Sequence, residues 1–332
     1  MIDFRNKILE GDVLARLKDL PNESVNCVIT SPPYWGLRDY EVEGQIGQEA
    51  TPQEFVAKMV EVFNEVWRVL RDDGTLWLNL GDTYNNRLGG QVNGIGKKYG
   101  DTKDLPGHER PCRKATAISR SKAKGLRPKS LVGIPWRVAI ALMDEGWILR
   151  SEVIWHKLTP MPESVTDRPT RAHETVFLFS KQPRYHYDAD AIREPLAPNT
   201  ATTFGTKRKS KGNDAGGNVK SDNFGRRVPI RKPKLKEDGT PAGANKRTVW
   251  PIASARFPGA HFATFPPALV EPCIKAGCPT DGVVLDPFFG AGTTGLVAKQ
   301  FGRNFVGIEL NPEYVAMAKK RLYEAFPLLM VV

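Results

Sequence analysis

The chain has 332 residues, 40% hydrophobic and 26% charged, the balance of a folded, water-exposed protein. No apolar run reaches the roughly 18 residues of a membrane span, the start MIDFRNKILEGD has no signal-peptide core, and four cysteines are too few for a disulfide framework. The net charge of +11 is unevenly placed: residues 84–129 carry 12 Lys+Arg against 3 Asp+Glu, residues 199–250 carry 13 against 4, and the remainder is mildly acidic. These features lead us to expect a reduced, cytoplasmic protein. Clustered positive charge points to a polyanion, usually nucleic acid, with solvated loops that bind nothing as the alternative. Cys273 and Cys278 are half of a zinc site at most; no second pair or histidine lies near them in sequence, so no metal is expected.

In chain order, NKILEGD predicts a strand ending at Asp12, VLARLKDL a short helix, and VNCVITS the next strand. The segment 51–74 predicts a helix with Thr51 as N-cap, Pro52 at its first position and Glu54 closing a capping box. Its Phe55, Met59, Phe63, Val66, Trp67 and Leu70 share one face and read as core. TLWLNLGD predicts a strand, IPWRVAIALMDEG a helix, and WILRSEVIWHK and ETVFLFSK two more strands. VVLD, TTGLVAKQFG, NFVGIEL and NPEYVAMAKKRLYEAF complete the series as strand, helix, strand, helix. The alternation predicts an α/β fold, a doubly wound, mostly parallel sheet covered on both faces. The two basic segments interrupt it without helical or strand periodicity, and long irregular stretches of that kind are usually functional or disordered.

VVLDPFFGAGTTG is a strand, a glycine turn and a helix start, in which Gly290, Gly292 and Gly295 satisfy G-x-G-x-x-G. Glu309 follows 14 residues after the last glycine, at the end of the next strand. Glycines admit a ligand to the backbone, the helix start supplies free N–H groups, and a carboxylate can hold two ribose hydroxyls. The pattern therefore indicates a nucleoside cofactor, NAD or S-adenosyl-L-methionine; the absence of Gly-Lys-Ser/Thr argues against a P-loop. Asp286 before the turn favours the second, since a carboxylate suits a cationic amino-acid end and not a pyrophosphate. At the end of another strand stands Ser31-Pro32-Pro33-Tyr34-Trp35. Ser31 Oγ and the Pro32 carbonyl could accept hydrogen bonds from one NH2 group while Tyr34 stacks on the ring that bears it. The plain alternative is a strand terminator with core aromatics.

TSPPYW resembles the catalytic motif of DNA amino-methyltransferases, DPFFGAGTTG their S-adenosylmethionine motif, and GIELNP the acidic motif after it. EGD at 10–12 is similar to the segment whose Asp meets the cofactor adenine, and HFATFPPALVEPCIKAG to the helix start that completes the pocket. The catalytic motif precedes the cofactor motifs, the permuted order of the β class. The resemblance implies a Rossmann-like methyltransferase fold with catalytic residues Ser31, Pro32, Pro33, Tyr34 and Trp35. The cofactor residues it implies are Asp12, Phe265, Pro266, Asp286, Phe288, Gly290, Gly292, Thr293, Thr294, Glu309 and Asn311. It divides the chain into a catalytic half (1–83 and 131–190), a basic insertion near the active site (84–130), a target-recognition region (191–255) and a cofactor half (256–332). Expected partners are double-stranded DNA, with a homodimer and a cognate restriction enzyme left open. A serine in the first motif position goes mostly with N4 of cytosine, aspartate with N6 of adenine. Protein-glutamine methyltransferases, which use N-P-P-Y after their cofactor motifs, fit less well, and an NAD-dependent oxidoreductase leaves the S-P-P-Y-W turn and the basic segments unexplained.

Overall fold

The β-branched run Val25–Thr30 lies at the centre of an eight-stranded sheet. The computed structural model describes residues 4–37, 42–85, 126–196, 219–221, 227–229, 242–254 and 265–327. They fall in two units, one of residues 1–186 with 248–332 and one of residues 187–247. The strands in chain order are β1 (Lys7–Glu10), β2 (Val25–Thr30), β3 (Leu70–Leu80), β4 (Ile148–Lys157), β5 (His173–Ser180), β6 (Val219–Ser221), β7 (Arg227–Pro229), β8 (Val249–Ile252), β9 (Val283–Asp286) and β10 (Asn304–Glu309). The helices are α1 (Val13–Lys18), α2 (Pro52–Val69), α3 (Ile134–Asp144), α4 (Pro267–Gly277), α5 (Thr293–Gln300) and α6 (Pro312–Ala325).

In the first unit the sheet order is β1-β10-β9-β2-β3-β5-β4-β8. All neighbours are parallel except β5, which runs antiparallel to both β3 and β4. Alternation along β3 shows the two faces. Leu76, Leu78 and Leu80 join the core formed by Phe55, Met59 and Phe63 of α2 and Val138 and Leu142 of α3. Thr75 points the other way and donates to the Gly277 carbonyl at the end of α4, 3.2 Å away. The capping box of α2 is present, with Glu54 N donating to Thr51 Oγ1 and Thr51 N to Glu54 Oε2, both at 3.2 Å.

Helix α2 ends at Val69, short of the predicted 74, because Glu23 N and Ser24 N take the Arg68 and Val69 carbonyls at 3.0 and 2.8 Å. That pairing turns the chain into β3. Strand β8 lies in a segment that had no strand periodicity. It pairs in parallel with β4, buries Trp250, and accepts the Trp155 indole N–H on the Ile252 carbonyl at 3.0 Å. In the second unit β6 and β7 form an antiparallel pair and Glu194 bridges Ala244; neither short strand had a sequence signature. Residues 86–125 of the expected insertion 84–130 and much of the region 191–255 lie outside the described residues. Among the described residues no helix is long and apolar enough to cross a membrane.

Candidate active site

Strands β2 and β9 are neighbours, with Cys27 opposite Val284 and Val28 opposite Leu285. Their carboxyl ends therefore deliver Ser31 and Pro287 side by side, although 256 residues separate the two positions. Strands β10 and β1 end beside them at Glu309 and Glu10. One cavity opens over these four strand ends, where ligands of open α/β sheets bind. Of the predicted catalytic residues, Ser31, Pro32, Pro33 and Tyr34 line it. Of the predicted cofactor residues, Asp12, Phe265, Phe288, Gly290, Thr293, Glu309 and Asn311 do.

Five expected residues have other jobs. Trp35 is buried in the core, its indole N–H donating to the Glu49 carbonyl at 2.9 Å, so its ring is not free to stack on a ligand. Asp286 does not line the cavity. Its Oδ1 accepts from Thr30 Oγ1 at 2.7 Å and from Phe288 N at 3.1 Å, and its Oδ2 from Thr294 Oγ1 at 2.7 Å. Burial pushes its pKa up to about 7 against the downward pull of these bonds. Asp286 and Thr294 thus tie the glycine turn to β2, and neither is among the cavity-lining residues. Gly292, at φ +78°, starts α5, and a Cβ there would lie 2.9 Å from Ala318 Cβ of α6, so it serves helix packing. Pro266 is buried at the start of α4.

Glu309 spans the turn, Oε2 accepting from Gly290 N at 2.7 Å and Oε1 from Asn311 N at 2.8 Å. Burial raises its pKa while these N–H groups oppose the shift. Asp12 caps α1, accepting from Ala15 N at 3.0 Å through Oδ1, and is exposed at the rim of the cavity it lines. The lining fits S-adenosylmethionine. Phe265, Phe288, Ile308 and Met317 offer apolar surface for an adenine, Glu309 a carboxylate for a ribose diol, and Gly290 a backbone open to close approach.

Beneath the S-P-P-Y turn lies a polar network absent from the sequence reading. Ser31 Oγ donates to Tyr34 Oη at 3.3 Å, and Tyr34 Oη donates to Glu174 Oε2 at 2.7 Å. Asn79 Nδ2 lies 3.3 Å from Ser31 Oγ, 3.0 Å from Tyr34 Oη and 3.1 Å from Glu174 Oε2. Lys157 Nζ pairs with Glu174 Oε1. The Tyr34 pKa is raised, by burial first and then by the Glu174 charge, so the phenol stays protonated. One edge of its ring rests on Gly81, where a Cβ would sit 2.3 Å from Cε2. Asn79, a polar residue inside the apolar run TLWLNL, was the one local signal.

A Rossmann-like sheet whose strand-end cavity joins a nucleoside pocket to a Ser-Pro-Pro-Tyr turn defines an S-adenosylmethionine-dependent methyltransferase. Residues 25–320 match the DNA methylase family, and the chain belongs to it. It is 45% identical over 315 residues to the type II methyltransferase M.XycI of Xanthomonas campestris pv. cyanopsidis, spanning 95% of this chain and 87% of the relative. Among solved structures it resembles the PvuII DNA methyltransferase, described as cytosine-N4-specific, with TM-score 0.58 and 22% identity over 95% of this chain and 85% of that one. It also resembles TTHA0409 of Thermus thermophilus, solved in complex with S-adenosyl-L-methionine, with TM-score 0.56 and 20% identity over 98% of both chains. The enzyme is thus an S-adenosylmethionine-dependent DNA methyltransferase, and the NAD oxidoreductase reading falls.

Proposed function

We propose that the enzyme methylates the exocyclic amino group of a base flipped out of double-stranded DNA, with N4 of cytosine as the target. The observation that carries this is the single cavity in which Glu309 and Gly290 share walls with Ser31 and Tyr34. A target amine at Ser31 lies within the same enclosure as a cofactor at the glycine turn. Bound S-adenosylmethionine supplies an electrophilic methyl group. The protein's part is to hold the acceptor. The Tyr34 ring takes the base face, and flipping brings the base out of its stack to reach it. Ser31 Oγ and the Pro32 carbonyl accept the two amino N–H bonds, which draws the nitrogen away from conjugation with its ring and aims its lone pair at the methyl group. Positioning and matched dipoles do most of the work.

The choice of cytosine rests on serine at position 31, and the printed specificity of the PvuII enzyme agrees with it. Lys and Arg of 84–130 and 191–255 hold DNA phosphates, and part of the second region reads bases. Residues 1–83 and 131–190 form the catalytic half and 256–332 the cofactor half. We place the enzyme in the cytoplasm, in a restriction-modification setting with a cognate nuclease. Expression in a methylation-free host followed by single-molecule genome sequencing reads base and motif together: N4-methylcytosine is expected, N6-methyladenine would move the target, and an unmodified genome from soluble enzyme would refute the reading. Tyr34→Ala should abolish transfer while cofactor binding, followed by calorimetry, persists.

A further inference from the structure

We infer that Glu174, held by Lys157, is a positioning residue that sets the direction of the hydrogen-bond chain under the S-P-P-Y turn and so makes Ser31 an acceptor. The inference rests on the proposed role of Ser31. A serine hydroxyl both donates and accepts, and its hydrogen goes wherever the best acceptor is. Here the direction is set from the far end. The carboxylate of Glu174 has no hydrogen to give when ionised, so Tyr34 Oη donates to it at 2.7 Å. The phenol oxygen is then left as an acceptor, and Ser31 Oγ donates to it at 3.3 Å. With its hydrogen turned inward, Ser31 Oγ keeps a lone pair for the incoming amino N–H. Asn79 Nδ2, which only donates, meets all three oxygens and reinforces the same direction. Lys157 has donors alone as well, and anchors Glu174 Oε1. The ion pair is largely enclosed, with side-chain exposures of 14% for Glu174 and 25% for Lys157.

Glu174→Gln keeps the shape and reverses the chain. Facing Lys157, the new amide turns its oxygen to the ammonium and its NH2 to Tyr34. Tyr34 Oη then accepts from position 174 and donates to Ser31, whose own hydrogen swings out towards the substrate N–H. Removing Lys157 as well, in the double variant Glu174→Gln, Lys157→Met, frees the amide to present its oxygen to Tyr34 and restores the direction. Single-turnover methyl transfer should fall about 10²-fold in Glu174→Gln, the scale of one misaligned preorganised group. Cofactor affinity and melting temperature should hold, and the double variant should regain about tenfold or more of the lost rate. A Glu174→Gln enzyme at full rate, or a double variant no faster than the single, overturns the inference. Ser31→Ala is run beside them. If it keeps full rate, the acceptor role of Ser31 is wrong; if it is slow while Glu174→Gln is not, only the role of Glu174 fails.

Discussion

Replacing Gly81 by alanine tests whether the position of the Tyr34 ring controls the reaction. The new Cβ would lie 2.3 Å from Cε2, 2.7 Å from Cδ2 and 3.1 Å from Cζ of Tyr34. Carbon atoms pack at about 3.5–4.0 Å, so the ring must retreat by about 1.2 Å or more. A ring displaced from Gly81 cannot keep its hydroxyl in place against Glu174, now 2.7 Å away. A misplacement of about 1 Å costs on the order of 10²-fold in rate, and the overpacking costs about 1–3 kcal/mol of stability. Single-turnover transfer from labelled S-adenosylmethionine to a methylatable duplex should therefore slow about 10²-fold. Cofactor affinity by calorimetry should stay unchanged, since Gly81 does not line the cofactor walls. A Gly81→Ala enzyme with the parent rate and melting temperature would refute the reasoning, as would a loss confined to cofactor binding.

Three further outcomes are expected. Glu309→Ala removes charge-assisted bonds to Gly290 N and Asn311 N, each worth about 1.5–3 kcal/mol, so cofactor affinity by calorimetry should weaken at least about tenfold; unchanged affinity would remove Glu309 from the site. Asp286 is raised to about 7 in the folded chain from an ordinary 3.8. The native state then holds a proton that the unfolded chain gives up between those values, and stability falls as pH rises across that window, by at most about 1.4 kcal/mol per pH unit. Denaturant titrations of Asp286→Asn should lose this slope, and an unchanged slope would assign it elsewhere. DNA binding should weaken steeply with salt, and changing Lys207, Arg208, Lys209 and Lys211 to glutamine should reduce the log–log slope by about 3.5 if all four neutralise phosphates; an unaltered slope would clear that cluster of DNA contact.

The local periodicities carried most of the fold. Apolar runs such as VNCVIT and the capped face of α2 declare their structure over a few residues, and the Ser-Pro-Pro-Tyr and glycine turns declare strand ends. What they do not declare is which atoms the protein consumes itself. Asp286 looks like a ligand, yet Thr30, from a strand 256 residues away, and Thr294, just past the glycine turn, each hold one of its oxygens. Trp35 follows Tyr34 directly, but the turn sends it into the core. Glu174, Lys157 and Gly81 sit in ordinary strand sequences, so only tertiary pairing of β3, β4 and β5 reveals that they converge on one tyrosine. Strand β8 leaves no local trace because it is four residues long and includes a proline; a sheet-edge position tolerates both.

The order β1-β10-β9-β2 has a consequence for how the molecule is made. The two strands that separate β1 from β2 are the last two among the described residues, so the middle of the sheet stays empty until residues 283–309 have left the ribosome. Pairings that close so long a loop are slow to form. Until then β2 has only β3 beside it, the turn that follows it has no glycine turn to face, and a chain stopped before β9 cannot assemble the cavity. Methylating capacity therefore waits for residues 283–309, and a product ended before them is inert by topology alone.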